Sequence, residues 1–174
     1  GEQDKAIQFF HNTVDIDPAQ EDAYVQLGLI YQQRKDSTAV LYYQNTLKIN
    51  PQNKMALFNL AKYYQDMEQW NEAIESYTHL LQIYPTYVDA YYNIGFVHIK
   101  LGLYDVAAND FSQAISFNPD FYEAYYSRGH CYETLGDIAR AESDYKKAIQ
   151  IEDDYQNAKD ALNALMKRNK QIKQ

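Results

Sequence analysis

One cysteine, Cys131, stands in the 174 residues, which excludes a disulfide within the chain and leaves no thiolate-rich metal spacing. Basic residues are also few. The 16 Lys and Arg against 24 Asp and Glu give a net charge of −8 and a pI near 4.9, so a surface built for phosphate backbones, which needs clustered cations, is not expected, nor is a nucleic-acid partner. No apolar run approaches the roughly 18 residues that a membrane span requires. The opening Gly1-Glu2-Gln3-Asp4-Lys5 is not the basic-then-apolar start of a signal peptide. A soluble chain is expected, with the cytoplasm favoured over the periplasm or export; a signal removed beforehand would leave the same sequence. Phosphate loop, dinucleotide fingerprint and HExxH are all lacking, so no cofactor and no catalytic activity are expected.

What is present points to an ordered fold. Apolar residues make up 46 % of the chain, too many for disorder, and 18 are tyrosines. A tyrosine suits half-buried positions, where its ring packs and its hydroxyl reaches water or a partner. Most of these rings are expected between helices.

The four prolines are periodic. Pro18, Pro51, Pro85 and Pro119 are 33, 34 and 34 residues apart, and the next step of 34 falls on Asp153. Two residues before these points stand Ile16, Ile49, Ile83, Phe117 and Ile151. Five after each proline comes alanine (Ala23, Ala56, Ala90, Ala124), and six after comes Tyr24, Leu57, Tyr91 or Tyr125. Further columns in phase are Leu27-Gly28, Leu60-Ala61, Ile94-Gly95 and Arg128-Gly129, then Tyr31, Tyr64, His98 and Tyr132. A fixed period of this length is the signature of stacked supersecondary units.

Each unit reads as two helices. In the first, apolar and small residues recur at three- and four-residue steps, as in Tyr91, Ile94, Gly95 and His98. A turn follows, marked by Gly102 and Gly136 in two units and by polar Lys35-Asp36 and Asp66-Met67-Glu68 in the others. The second helix carries Ala73-Ile74, Tyr77 and Leu80-Leu81, or Ala107, Phe111 and Ala114-Ile115. Proline then stops it, lacking an N–H and clashing within a helix interior. Gly28, Ala61, Gly95 and Gly129 are expected to face Ala39, Ala73, Ala107 and Ala141 across each hairpin. A helical glycine costs about 0.8–1 kcal/mol relative to alanine, so its recurrence in phase implies close packing.

These columns, with Tyr43, Tyr77, Phe111 and Tyr145 followed by Ala114 and Ala148, resemble the tetratricopeptide repeat over nearly the whole chain. Departures are Leu57 for the aromatic, Arg128 for the apolar residue, Leu80 and Thr46 for the small residue, and Asp153 for the proline. The resemblance implies an all-α, right-handed α-solenoid of tandem helix-turn-helix repeats: a half-repeat helix over 1–17, full repeats over 18–51, 52–85, 86–119 and 120–153, and a capping helix over 154–174. In the half-repeat, Ala6, Phe10 and Val14 match Ala73, Tyr77 and Leu81. The cap carries Ala158, Leu162, Leu165 and Met166 on one face, and Lys167, Arg168, Lys170 and Lys173 in its last turns, favoured by the helix dipole.

The same resemblance implies a concave groove lined by the first helices, and a function as a protein-interaction scaffold that binds a peptide or helix. Taking the side opposite the small residue, helical spacing nominates Met55, Phe58, Asn59, Lys62, Asp89, Tyr92, Asn93, Phe96, Lys100, Tyr126 and His130, with Val25, Gln32, Gln65, Ile99, Glu123, Ser127 and Glu133 among their neighbours. Phe58, Tyr92, Phe96 and Tyr126 offer apolar anchors, and Asn59 and Asn93 offer backbone-type hydrogen bonds. Tetratricopeptide domains that clamp chaperone C-termini use Lys, Asn and Arg; this wall is poor in bases, so an acidic tail is disfavoured. Residues 63–127 hold nine acids and one base, which favours a neutral-to-basic partner with apolar anchors. Alternatives are a module that homo-oligomerises through its N-terminal half-repeat, and a non-catalytic appendage of a larger enzyme. His98, His130 and Cys131 stand one repeat apart and form a weak metal candidate that the chain is not expected to use.

Overall fold

Hairpins with one punctuation, written several times, build the chain. The computed structural model describes residues 1–172; Lys173, expected in the basic last turn, lies outside the described residues. These form ten α-helices and no strand: α1 (Glu2–Ile16), α2 (Glu21–Gln33), α3 (Thr38–Ile49), α4 (Lys54–Asp66), α5 (Trp70–Ile83), α6 (Val88–Lys100), α7 (Tyr104–Phe117), α8 (Tyr122–Thr134), α9 (Ile138–Ile151) and α10 (Gln156–Ile172). The chain divides after Pro85 into two compact units. In the first, α2–α3 and α4–α5 are hairpins, α1 packs on α2, and α3 and α2 pack on α4. In the second, α6–α7 and α8–α9 are hairpins, α7 and α6 pack on α8, and α10 lies on α9 and α8. The fold is all-α, of the helical-solenoid class of tandem helix-turn-helix repeats.

Proline follows the C-cap of α1, α3, α5 and α7. Asp17, Asn50, Asn118 and Glu152 are C-caps with φ between −134° and −124° and ψ of 92–95°, the extended backbone imposed on a residue preceding proline. Glu152 adopts it although Asp153 follows instead. Asp17, Asn50 and Asn118 add an Asx turn, each side-chain oxygen accepting the N–H two residues on at 3.0–3.2 Å.

The turn within each hairpin is equally constant. Lys35, Glu68, Gly102 and Gly136 all have positive φ, 55°, 58°, 76° and 82°. One residue later the backbone N–H of Asp36, Gln69, Leu103 and Asp137 donates to the carbonyl of Tyr31, Tyr64, His98 and Tyr132 at 2.8–2.9 Å, the six-to-one bond that satisfies a helix C-terminus. Glycine fits this conformation without strain at two turns; Lys35 and Glu68 hold it with a Cβ.

Close approach explains the small column. A Cβ built on Gly28 would stand 2.4 Å from Tyr43 Cε1; on Gly95 it would stand 2.9 Å from Phe111 Cε1, and on Gly129 2.9 Å from Tyr145 Cε1. The small column thus meets the second-helix rings rather than the expected alanines; Ala39, Ala73, Ala107 and Ala141 are fully buried, as are Tyr43, Tyr77 and Phe111.

Candidate partner-binding faces

The first helices carry two kinds of side chain where the sequence placed a binding wall. One kind is structural. Val25, expected on the wall, is instead buried in the first unit's core with Ala39, Tyr43, Ala56 and Tyr63. Phe58, Tyr92 and Tyr126 share its column and lie half-buried against the second-helix rings: Phe58 is 5.9 Å from Tyr77, Tyr92 is 5.4 Å from Phe111, and Tyr126 is 5.8 Å from Tyr145. These rings brace the hairpin and leave part of their surface to solvent.

A second column is spent inside the hairpin. The hydroxyls of Tyr43, Tyr77 and Tyr145 donate to Gln32, Gln65 and Glu133 at 2.6, 2.9 and 2.6 Å. Gln65 is only 8 % exposed. In the remaining hairpin the ring is Phe111, with no hydroxyl, and the matching position is apolar Ile99. Sequence spacing put these acceptors on the wall because it cannot see how far a tyrosine hydroxyl reaches.

The other kind of side chain is turned outward. In the first unit Met55 is exposed, Asn59 half-buried, and Lys62 pairs with Asp66 at 2.5 Å. In the second unit Asp89 and Lys100 are exposed, and Asn93 donates to the Asp89 carbonyl at 2.7 Å. Lys100 rests over the half-buried Phe96 ring at 5.1 Å. His130 is exposed and meets Tyr104 edge-on at 6.3 Å. The second unit therefore brings Asp89, Tyr92, Asn93, Phe96, Lys100, Tyr126 and His130 onto two packed helices, α6 and α8.

His98, His130 and Cys131 are engaged separately. His98 Nδ1 meets Asp110 Oδ2 at 2.6 Å, and burial raises the Asp110 carboxyl against the lowering effect of that histidine. Cys131 is fully buried among Ala107, Ala108 and Phe111, its thiol pushed up to about 12 chiefly by burial. A thiol so protonated is neither nucleophile nor ligand at neutral pH. Among the described residues no group of three His, Cys, Asp or Glu could hold a metal ion.

Arg128, the departure from the apolar column, has a bidentate partner. Its Nε and Nη2 donate to Asp144 Oδ2 and Oδ1, both at 2.8 Å, and its Nη1 donates to Ser112 Oγ at 3.0 Å. Tyr125 and Tyr132 flank the guanidinium at 5.5 and 5.9 Å. Spacing alone missed this pair, although Arg128 sixteen residues before Asp144 is a charge placed at two core-facing positions.

Four matches to family models cover residues 42–155: tetratricopeptide repeats at 42–75, 88–121 and 122–155, and a TPR repeat at 64–102. The chain belongs to the tetratricopeptide-repeat family. No curated protein matches it significantly. Among solved structures, this tetratricopeptide-repeat chain is similar to a crystal structure of MamA, with 26 % identity, a TM-score of 0.80, and 88 % of this chain and 90 % of that one covered. It shares the fold of YrrB, described as a TPR protein with an unusual peptide-binding site, at 21 % identity, a TM-score of 0.76, and 92 % and 83 % coverage. It also shares the fold of the first TPR of Spaghetti (RPAP3) bound to the HSP90 peptide SRMEEVD, at 23 % identity, a TM-score of 0.64, and 67 % and 93 % coverage. No helix among the described residues is long and apolar enough to cross a membrane.

Proposed function

We propose that this tetratricopeptide-repeat chain is a non-catalytic interaction scaffold that holds a peptide or helix of a partner protein on its first-helix faces. The observation that carries the reading is the face of α6 and α8. Asp89, Lys100 and His130 are exposed there and Asn93 is half-buried, on the same helices as the half-buried rings of Tyr92, Phe96 and Tyr126, a mixture of anchors and hydrogen-bonding groups typical of recognition surfaces. In the first unit Met55, Phe58, Asn59 and Lys62 repeat this mixture on a smaller scale. Peptide binding described for YrrB and for the Spaghetti repeat supports the same use of the fold.

The partner is neutral-to-basic with apolar anchors. Asp89 is exposed and Glu123 half-buried at the start of α6 and α8, and neither forms an ion pair with a described Lys or Arg. An acidic peptide such as SRMEEVD would meet these carboxylates without a basic clamp. Calorimetry with neutral-to-basic and acidic peptide sets, on the wild type and on Asp89→Ser/Asn93→Ala, tests this. The double variant keeps its helical spectrum and loses about tenfold or more in affinity for the basic set; unchanged affinity sinks the assignment.

A second reading is self-association through α1. Ala6 and Phe10 are only half-buried, while their counterparts Ala39 and Tyr43 are fully buried. Light scattering across concentration decides it, and a strict monomer removes it.

A further inference from the structure

Tyr155, just ahead of α10, gathers several rings. Its ring meets Tyr122 edge-on at 4.9 Å and Tyr126 at 5.4 Å, and Phe121, beside Tyr122 in the chain, lies 4.9 Å from Tyr92. All five rings are half-buried. Glu123 follows Tyr122 and precedes Tyr126 by one helical turn on α8. Its nearby carboxylate holds the Tyr122 hydroxyl above its ordinary value. Burial first, and then the nearby Tyr92, Tyr126 and Glu123, push Tyr155 to about 12.

Some of the chain's other half-buried rings are covered by a cation of the chain itself. Lys54 stands over Tyr84 at 4.7 Å, Lys100 over Phe96 at 5.1 Å and Arg140 over Tyr132 at 4.2 Å. No described Lys or Arg stands over Phe121, Tyr122, Tyr126 or Tyr155, and none pairs with Glu123. A ring face attracts a cation through its quadrupole, and a carboxylate at its edge adds to that field. Asp89, one repeat earlier in the same column, carries the same sign along α6. Acids in a first turn also favour the helix dipole, but that role calls for no surrounding aromatics.

We propose that the rings of Tyr122, Tyr126 and Tyr155 around Glu123 receive a cationic side chain of the partner, lysine or arginine. This rests on the scaffold reading and names the chemistry of one of its contacts. A methylated lysine fits too, because its charge is spread over an apolar surface that the rings can cover. The partner segment then carries its positive charge at the α8 end of the second unit's face, with apolar side chains towards Phe96.

The test is an NMR titration of the full chain with two probes: N-acetyl-trimethyllysine methylamide, and its neutral isostere with carbon in place of the quaternary nitrogen. The cation is expected to shift the ring signals of Tyr122, Tyr126 and Tyr155, and to bind about tenfold more tightly than the isostere. Glu123→Gln and Tyr122→Leu should each weaken it about fivefold, whereas Tyr155→Phe, which keeps its ring face, should leave binding nearly unchanged. Equal binding of the two probes, or no ring shift with the cation, overturns the inference. A chain that binds basic peptides yet ignores the cation refutes this contact alone; one that binds no peptide refutes the scaffold reading.

Discussion

Arg128 and Asp144 allow a quantitative experiment whose controls are already written in the chain. Their side chains are 19 % and 8 % exposed and joined by two bonds of 2.8 Å. Asp144→Ala leaves a guanidinium held only by Ser112 between two rings, and an orphaned buried charge of this kind costs about 3–5 kcal/mol. Because Arg128 retains the Ser112 bond and some water, about 3 kcal/mol is expected, or a fall in Tm of about 6–12 °C for a chain of this size. Arg128→Leu strands the carboxylate instead and should lose a similar amount at neutral pH. The equivalent positions two hairpins earlier are Leu60 and Ser76. Grafting them as Arg128→Leu/Asp144→Ser removes both charges and should restore stability to within about 1 kcal/mol of wild type, since replacing a whole buried pair is often neutral. Urea denaturation followed by circular dichroism reads all three. If each single variant loses less than about 1 kcal/mol, or the double loses as much as the singles added together, the pair is not coupled in this way.

Four further outcomes follow from the same packing. Gly28→Ala gains about 1 kcal/mol of helix propensity but drives a methyl to 2.4 Å from a Tyr43 ring that Gln32 holds in place; a net loss of about 1–2 kcal/mol is expected in urea titration, and a stabilised variant refutes it. Tyr77→Phe strands the Gln65 side chain and should lose about 1–2 kcal/mol, largely recovered by adding Gln65→Ile, the pairing the chain uses at Phe111 and Ile99. Glu68→Gly relieves a left-handed residue at φ 58° and should raise stability by about 0.5 kcal/mol, while Glu68→Ala should not. Asp36 and Asp137 are held below the ordinary carboxylate value of 3.8 by hydrogen bonds from Thr38 and from Arg140; their contribution is present above that value and lost as pH falls below it. Asp36→Asn/Asp137→Asn should therefore flatten the acid limb of a stability–pH curve, and an unchanged limb counts against these caps.

Most of the fold was legible because its determinants are local. Proline, the turn residues and the alanine and glycine columns each act within a few positions of themselves, so a period of 34 carried them all. The candidate site was legible only in outline. Helical spacing identifies which residues share a side; of those it nominated, Asp89 and Lys100 are exposed and Asn93 is half-buried. It could not separate a side chain turned to solvent from one that reaches across to a neighbouring helix, as Gln65 does for Tyr77 and Val25 does in the core. Two contacts depended on elements read apart. Tyr155 belongs to the link before the last helix, yet its ring completes the face of α8, and Arg128 looked like a lapse until Asp144 and Ser112 were placed beside it. The aromatic column Tyr87, Phe121, Tyr155 was in phase all along, and would have signalled that ring group.

The tyrosine–acceptor bonds have a consequence for how such a chain can change. Tyr43 with Gln32, Tyr77 with Gln65, and Tyr145 with Glu133 each begin and end inside one hairpin, so copying a hairpin copies donor and acceptor together. Arg128 is different: it reaches back through Ser112 into the preceding hairpin. Duplication, deletion or exchange of a hairpin therefore carries that internal pairing intact. The bonds between hairpins, Arg128 to Ser112, Gln32 to Asp66 and Asn53 to Glu21, have to be made afresh with each new neighbour.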